Sequence, residues 1–150
     1  MLSSILIVDD DPEMRRMLNE FLSDQGYSVE TAANGEGALK ICQKLPFDVA
    51  LIDIELPDIK GTELLIKLKL IQPQMINIII TGHPSIENAM KTVNQEADGY
   101  ILKPFEPSVF LQTMEKLVDD KAKSYFAMFS EIEKAKKNTP LSKYNHPDKW

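Results

Sequence analysis

Five polar residues stand where apolar runs stop: Asp9 and Asp10 after Ile5 to Val8, Asp53 after Val49 to Ile52, Thr81 after Met75 to Ile80, and Lys103 after Gly99 to Leu102. Carboxylates gathered at one point repel each other and are best tolerated around a divalent cation, and oxygen ligands with open water positions suit Mg²⁺. An aspartate can also attack phosphorus as a nucleophile and become an aspartyl phosphate. The cation would offset charge on the transferring group, while the Lys103 ammonium and the Thr81 hydroxyl would each bind a phosphoryl oxygen. Each fragment alone has a plainer reading, since acidic pairs usually cap helices and a strand-end threonine is usually only that. Their joint order along the chain carries the argument.

Such convergence requires elements that end at one edge. Val49 to Ile52 is continuously apolar, as in a strand buried on both faces of a parallel sheet, and ligands bind at the carboxyl ends of such strands. Ile5 to Val8, Tyr27 to Ala32, Met75 to Ile80 and Gly99 to Leu102 supply four more predicted strands. Helices are predicted between them. Asp11 and Pro12 suit a helix start, Met14, Met17, Leu18, Phe21 and Leu22 share helical spacing, and Gly26 is a plausible stop. Asn34-Gly35 is predicted as a turn before a helix through Ala38, Leu39, Ile41 and Cys42. Thr62 is the expected cap of a helix through Leu64, Leu65, Leu68 and Ile71, and Ser85 that of a fourth through Ala89, Met90 and Val93. Strand and helix alternating five times call for a parallel sheet with helices on both faces.

From Pro107 onward, Leu111, Met114, Val118, Tyr125, Met128, Ile132 and Ala135 hold heptad a and d spacing, with Lys121 at one d position and no Gly or Pro until Pro140. This spacing leaves two arrangements open, a continuous helix that reaches a partner or a second helix that folds back. Residues 1–118 are expected to form one domain, and 119–150 a helical extension with a polar tail.

The chain has 150 residues and a net charge of -6, which argues against binding a nucleic-acid backbone. No stretch reads as a membrane span or a secretory signal, so a cytoplasmic setting is expected. The one cysteine, Cys42, falls in a helical pattern and reads as a buried apolar residue. With only His83 and His146, and His146 in the tail, no His/Cys metal site is credible.

The segments Ile-Leu-Ile-Val-Asp9-Asp10-Asp-Pro, Asp53-Ile-Glu55-Leu-Pro57-Asp-Ile-Lys-Gly61, Thr81-Gly82 and Tyr100-Ile-Leu-Lys103-Pro104-Phe105 closely resemble the receiver domain of two-component response regulators. The resemblance covers Leu2 to Leu117. It implies a flavodoxin-like, doubly wound α/β fold with five parallel strands in the order 2-1-3-4-5, followed here by an extended C-terminal helix. It also implies that Asp53 is the phosphoacceptor, Asp10 a direct Mg²⁺ ligand, Asp9 a partner through metal-bound water, and the Glu55 main-chain carbonyl a further ligand. Lys103 would bind the phosphoryl group, with a cis peptide before Pro104, and Thr81 and Tyr100 would be the switch pair. Their rearrangement would alter the surface of the fourth helix, fifth strand and fifth helix.

The implied partners are a histidine kinase or phosphotransfer protein and a downstream output domain, with a homodimer through the last helix as a further expectation. The implied activity is self-phosphorylation and autodephosphorylation, without turnover of a separate substrate. Two other readings compete: a phosphorylation-independent dimerisation or interaction module, and a phosphatase similar to the haloacid dehalogenases. The second suffers because Asp53-Ile-Glu55 lies on a central strand rather than an opening one.

Overall fold

The computed structural model describes residues 4–82 and 97–138. Nine elements are defined there: β1 (Ser4–Val8), α1 (Pro12–Asp24), β2 (Ser28–Ala32), α2 (Gly35–Lys44), β3 (Val49–Asp53), α3 (Gly61–Ile71), β4 (Ile76–Thr81), β5 (Gly99–Leu102) and α4 (Pro107–Lys137). The helix expected after Ser85, and His83 before it, lie outside the described residues.

The strands form one parallel sheet in the order β2-β1-β3-β4-β5, the flavodoxin-like arrangement expected from the sequence. Burial explains the sequence pattern. β3 and β4 are buried throughout, and apart from Asn77 their side chains are apolar up to the last residue of each strand because both faces are covered. Edge strand β2 alternates between exposed and half-buried positions until Ala32. Leu6, Val8, Ala50, Ile52 and Ile79 share one cluster with Ala38 and Cys42 of α2 and Leu64, Leu65 and Leu68 of α3. Leu18 and Leu22, four apart on α1, are buried as well. At about 1.5–3 kcal/mol for each fully buried aliphatic side chain, this apolar burial is the main favourable term in folding the sheet.

The helix boundaries follow local chemistry. Asp11 caps α1, its Oδ1 accepting from the Glu13 amide at 3.0 Å, and Gly26 beyond the end takes φ 99°. Asn34 belongs to α2 as its N-cap and accepts from the Gly37 amide at 2.7 Å. α3 departs from expectation, because Thr62 is a buried residue of the first turn and Lys60 occupies the cap position. The cause is Gly61, where a Cβ would collide with the Asp53 carbonyl oxygen and stand 2.7 Å from the Ile54 Cα. The chain can turn into α3 only at a residue without a side chain.

The chain divides into two units, Met1–Glu115 and Lys116–Trp150. In the first, Phe110 and Met114 of α4 are fully buried and the Phe105 and Phe110 rings stack 4.8 Å apart. Of the two arrangements left open by the heptad spacing, the structure has the single helix, continuous over 31 residues.

Candidate functional site

Register brings the strand ends together. Val8 pairs with Ile52, Asp53 with Ile80 and Thr81 with Leu102, so β1, β3, β4 and β5 finish at the same edge. Main-chain bonds continue one residue beyond β1, β3 and β5: Asp9 N–H to the Ala32 carbonyl at 3.1 Å, Ile54 N–H to Ile80 at 3.3 Å, and Lys103 N–H to Thr81 at 2.8 Å. The reactive side chains therefore stand on backbone held by the sheet itself.

At this edge Asp9, Asp10, Asp53, Glu55, Thr81 and Lys103 line one cleft. Asp9 and Asp53 are buried and Asp10 is exposed. One carboxylate oxygen from each of these three aspartates lies within 4.8 Å of the others. Mg²⁺ with oxygen ligands at about 2.1 Å spans about 4.2 Å between trans positions, so the three side chains need close by little to share an ion. The donor set, all oxygen with one exposed member, suits a hard divalent cation that keeps water ligands.

Lys103 supplies the cleft's positive charge. Its Nζ lies 2.8 Å from Asp9 Oδ2 and 3.3 Å from Asp53 Oδ2. Burial pulls the ammonium down, but Asp9 and Asp53 push it up further, and the balance lies above its ordinary value. Asp53 is also raised, but in its case burial outweighs the charged partners. Burial pushes its carboxyl up and Asp9 adds to this; the Glu55 amide, donating to Asp53 Oδ1 at 3.1 Å, and Lys103 only partly counter it. The Lys103-Pro104 peptide that carries the ammonium into the cleft is cis, as expected.

Tyr100 stands apart from the cleft. Its ring packs against the cluster containing Ile79, and its hydroxyl is buried without a hydrogen-bond partner among the described residues. Thr81 is buried at the end of β4. One contact was not foreseen: Arg15 of α1 donates through Nη1 to the Asp9 carbonyl at 2.7 Å. Arg15 sits four residues beyond the cap, on the turn that faces back to Asp9, a geometric signal that the apolar spacing of α1 does not carry.

The chain matches the response regulator receiver domain over residues 5–115. It is 30% identical over 118 residues to the transcriptional regulatory protein GlrR of Escherichia coli, an alignment covering 79% of this chain and 27% of that protein. The chain thus spans about a quarter of that relative's length. A CheY-like receiver domain from Methanospirillum hungatei superposes with a TM-score of 0.78 at 40% identity, covering 83% of this chain and 99% of the other. A response regulator from Burkholderia pseudomallei, solved with a phosphorylated aspartic acid, calcium ion and citrate, gives a TM-score of 0.72 at 25% identity, over 93% of this chain and 88% of that one.

Proposed function

The chain belongs to the response regulator receiver domain family, and on that premise we propose that it is a phosphorylation switch whose acceptor is Asp53. The observation that carries this reading is the Lys103 ammonium between Asp9 and Asp53, a fixed cation beside a carboxylate at the mouth of an acidic cleft. A carboxylate oxygen of Asp53 attacks the phosphorus of a phosphohistidine or a small acyl phosphate; the new O–P bond forms as the P–N or P–O bond to the donor breaks, its electron pair leaving with the donor. Asp9, Asp10, Asp53 and the Glu55 carbonyl would hold Mg²⁺, which when bound would neutralise charge on the phosphoryl oxygens. Lys103 shifts from its two carboxylates to a phosphoryl oxygen, and the Thr81 hydroxyl donates to another.

The readout is the pair Thr81 and Tyr100. A buried hydroxyl without a partner costs about 1–3 kcal/mol, so the inward position of Tyr100 is finely balanced against an outward, hydrated one. Movement of Thr81 toward the phosphoryl group tips that balance and alters the surface around β5 and the first part of α4. The donor is a histidine kinase or phosphotransfer protein in the cytoplasm. Among the described residues no helix is long and apolar enough to cross a membrane. The signal passes to an output domain, as the name of the transcriptional relative suggests, and no separate substrate is turned over.

The test is intact mass after incubation with acetyl phosphate. The full chain should gain one phosphoryl group only with Mg²⁺ present, and Asp53→Asn should gain none. Equal gain in the variant, or none in the wild type, refutes the assignment.

A second observation favours self-association. Tyr125, Met128, Phe129 and Ile132, spaced i, i+3, i+4 and i+7, are all exposed on α4, as is Phe126. We propose that this stripe pairs with that of a second copy in parallel, which sets Glu131 at a g position against Lys136 at the following e position of the other chain. Sedimentation of the full chain against one ending at Leu117 checks it. A full chain that sediments as a monomer at high micromolar concentration removes the pairing.

A further inference from the structure

The loop between β3 and α3 carries Glu55 and is built as a closed unit. Glu55 and Lys60 form an isolated antiparallel bridge, and Gly61 N–H donates to the Ile54 carbonyl at 2.8 Å. These contacts bind the two legs of the loop and leave its tip, Leu56 to Ile59, to be held from elsewhere. The holder is α2.

Asp58 at the tip accepts from two consecutive amides of α2, Gly35 N–H to Oδ1 and Glu36 N–H to Oδ2, both at 2.9 Å. The next two amides go to Asn34, Gly37 N–H to its side-chain oxygen at 2.7 Å and Ala38 N–H to its carbonyl at 3.2 Å. The three amides of the first turn that lack a partner within the helix, those of Gly35, Glu36 and Gly37, are thus satisfied, two of them by a residue more than twenty positions away. A second contact fastens the same tip: the Ile59 Cγ2 occupies the place where a Cβ on Gly35 would stand. Gly35 therefore lets the loop seat against the helix, and Asp58 keeps it seated.

We propose that Asp58 is a positioning residue for the metal site, holding through its cap on α2 the loop that presents the Glu55 carbonyl. This rests on the metal-site reading above. Losing the cap frees the tip, so the Glu55 carbonyl must be ordered when the cation binds, and affinity falls. The local order of the loop depends on Asp58 whether or not a cation is present.

The experiment is a ¹H–¹⁵N titration of the full chain with MgCl₂, comparing wild type, Asp58→Ala, Asp58→Asn and Gln72→Ala. Gln72 bridges α2 and α3 through the Cys42 and Leu45 carbonyls, away from the cleft, and serves as a control for lost stability alone. Asp58→Ala should raise the Mg²⁺ Kd about tenfold, the low end for groups that support a metal ligand from outside the coordination sphere. Asp58→Asn, with one accepting oxygen in place of two, should fall between. Gln72→Ala should bind as wild type does. An Asp58→Ala protein that is folded and binds within about twofold of wild type overturns the proposal, as does an equal loss in Gln72→Ala. If wild type itself shows no Mg²⁺ response, the metal-site reading fails, and amide exchange at Glu55 decides for Asp58: faster exchange in Asp58→Ala but not in Gln72→Ala supports its hold on the loop, and unchanged exchange overturns it.

Discussion

Replacing Asp53 by asparagine should make the metal-free protein more stable. One oxygen of Asp53 lies within 4.8 Å of an oxygen on each of Asp9 and Asp10, and Lys103 Nζ is 3.3 Å from its Oδ2. At an effective dielectric constant of 20, each repulsion is worth about 3.5 kcal/mol or more and the attraction about 5 kcal/mol. Asp10 is exposed and its share is screened below that, so repulsion and attraction nearly cancel. Burial then decides the sign, because Asp53 is only 9% exposed and its charge has lost most of its water. Asparagine removes the charge and keeps the oxygen that accepts from the Glu55 amide. The expected gain is about 1–2 kcal/mol, the part of the desolvation cost that survives after Lys103 is left with Asp9 alone.

Urea unfolding at pH 7 with chelator measures it as a rise in midpoint at unchanged slope. Two dependences identify the cause. Mg²⁺ binds the folded wild type better than the variant and should narrow the gap. Acid should narrow it too: a carboxyl raised above 3.8 in the folded state favours folding fully below that value and loses the contribution as pH climbs through its folded pKa. An Asp53→Asn protein less stable than wild type in chelator, or a gap indifferent to both Mg²⁺ and pH, refutes the electrostatic reasoning.

Gln72→Ala should cost about 2 kcal/mol in the same assay, since it removes three hydrogen bonds, to the Cys42 and Leu45 carbonyls and from the Phe47 amide, of which the more exposed recover water. Gly61→Ala should cost more, about 3 kcal/mol, because its Cβ meets the backbone of Asp53 and Ile54 and neither can yield without moving the cleft; a loss under 1 kcal/mol would contradict the close approach. Cys42, buried and with its thiol pushed up to about 11, should resist a thiol-disulfide reagent at pH 8 until the protein unfolds. Burial and then Glu115 raise the Tyr27 hydroxyl above 10, so its contribution holds below pH 10 and is lost as pH rises past the folded value; Tyr27→Phe should flatten that alkaline decline, seen by circular dichroism between pH 9 and 11.

The strands and the site were legible in the sequence for one shared reason. Runs such as Val49 to Ile52 are apolar at every position because both faces are covered, and each run stops on the residue that reaches the sheet edge. Asp9, Asp53, Thr81 and Lys103 could therefore be placed before any coordinates. Spacing also limited α4 to two forms, but length and heptad pattern are the same for a straight helix and for one that folds back. Polar contacts between distant elements leave no such trace. Asp58 reads as an ordinary turn residue, Gln72 as the end of a helix, and Arg15 as one of two adjacent basic residues. Thr62 shows the converse, a residue with good capping chemistry displaced into the first turn because Gly61 must sit against Asp53.

The filled amino end of α2 bears on what else the protein can bind. Open helix starts attract phosphate and sulfate with their free amides, whatever molecule carries the anion. At α2 that attraction is spent internally on Asp58 and Asn34. A free metabolite phosphate therefore meets the Asp58 carboxylate and the Asn34 amide oxygen there instead of donors. Among the described residues lining the cleft, the cation that an anion can meet is Lys103, whose charge is already shared between two aspartates and becomes available to a group that can displace it from both.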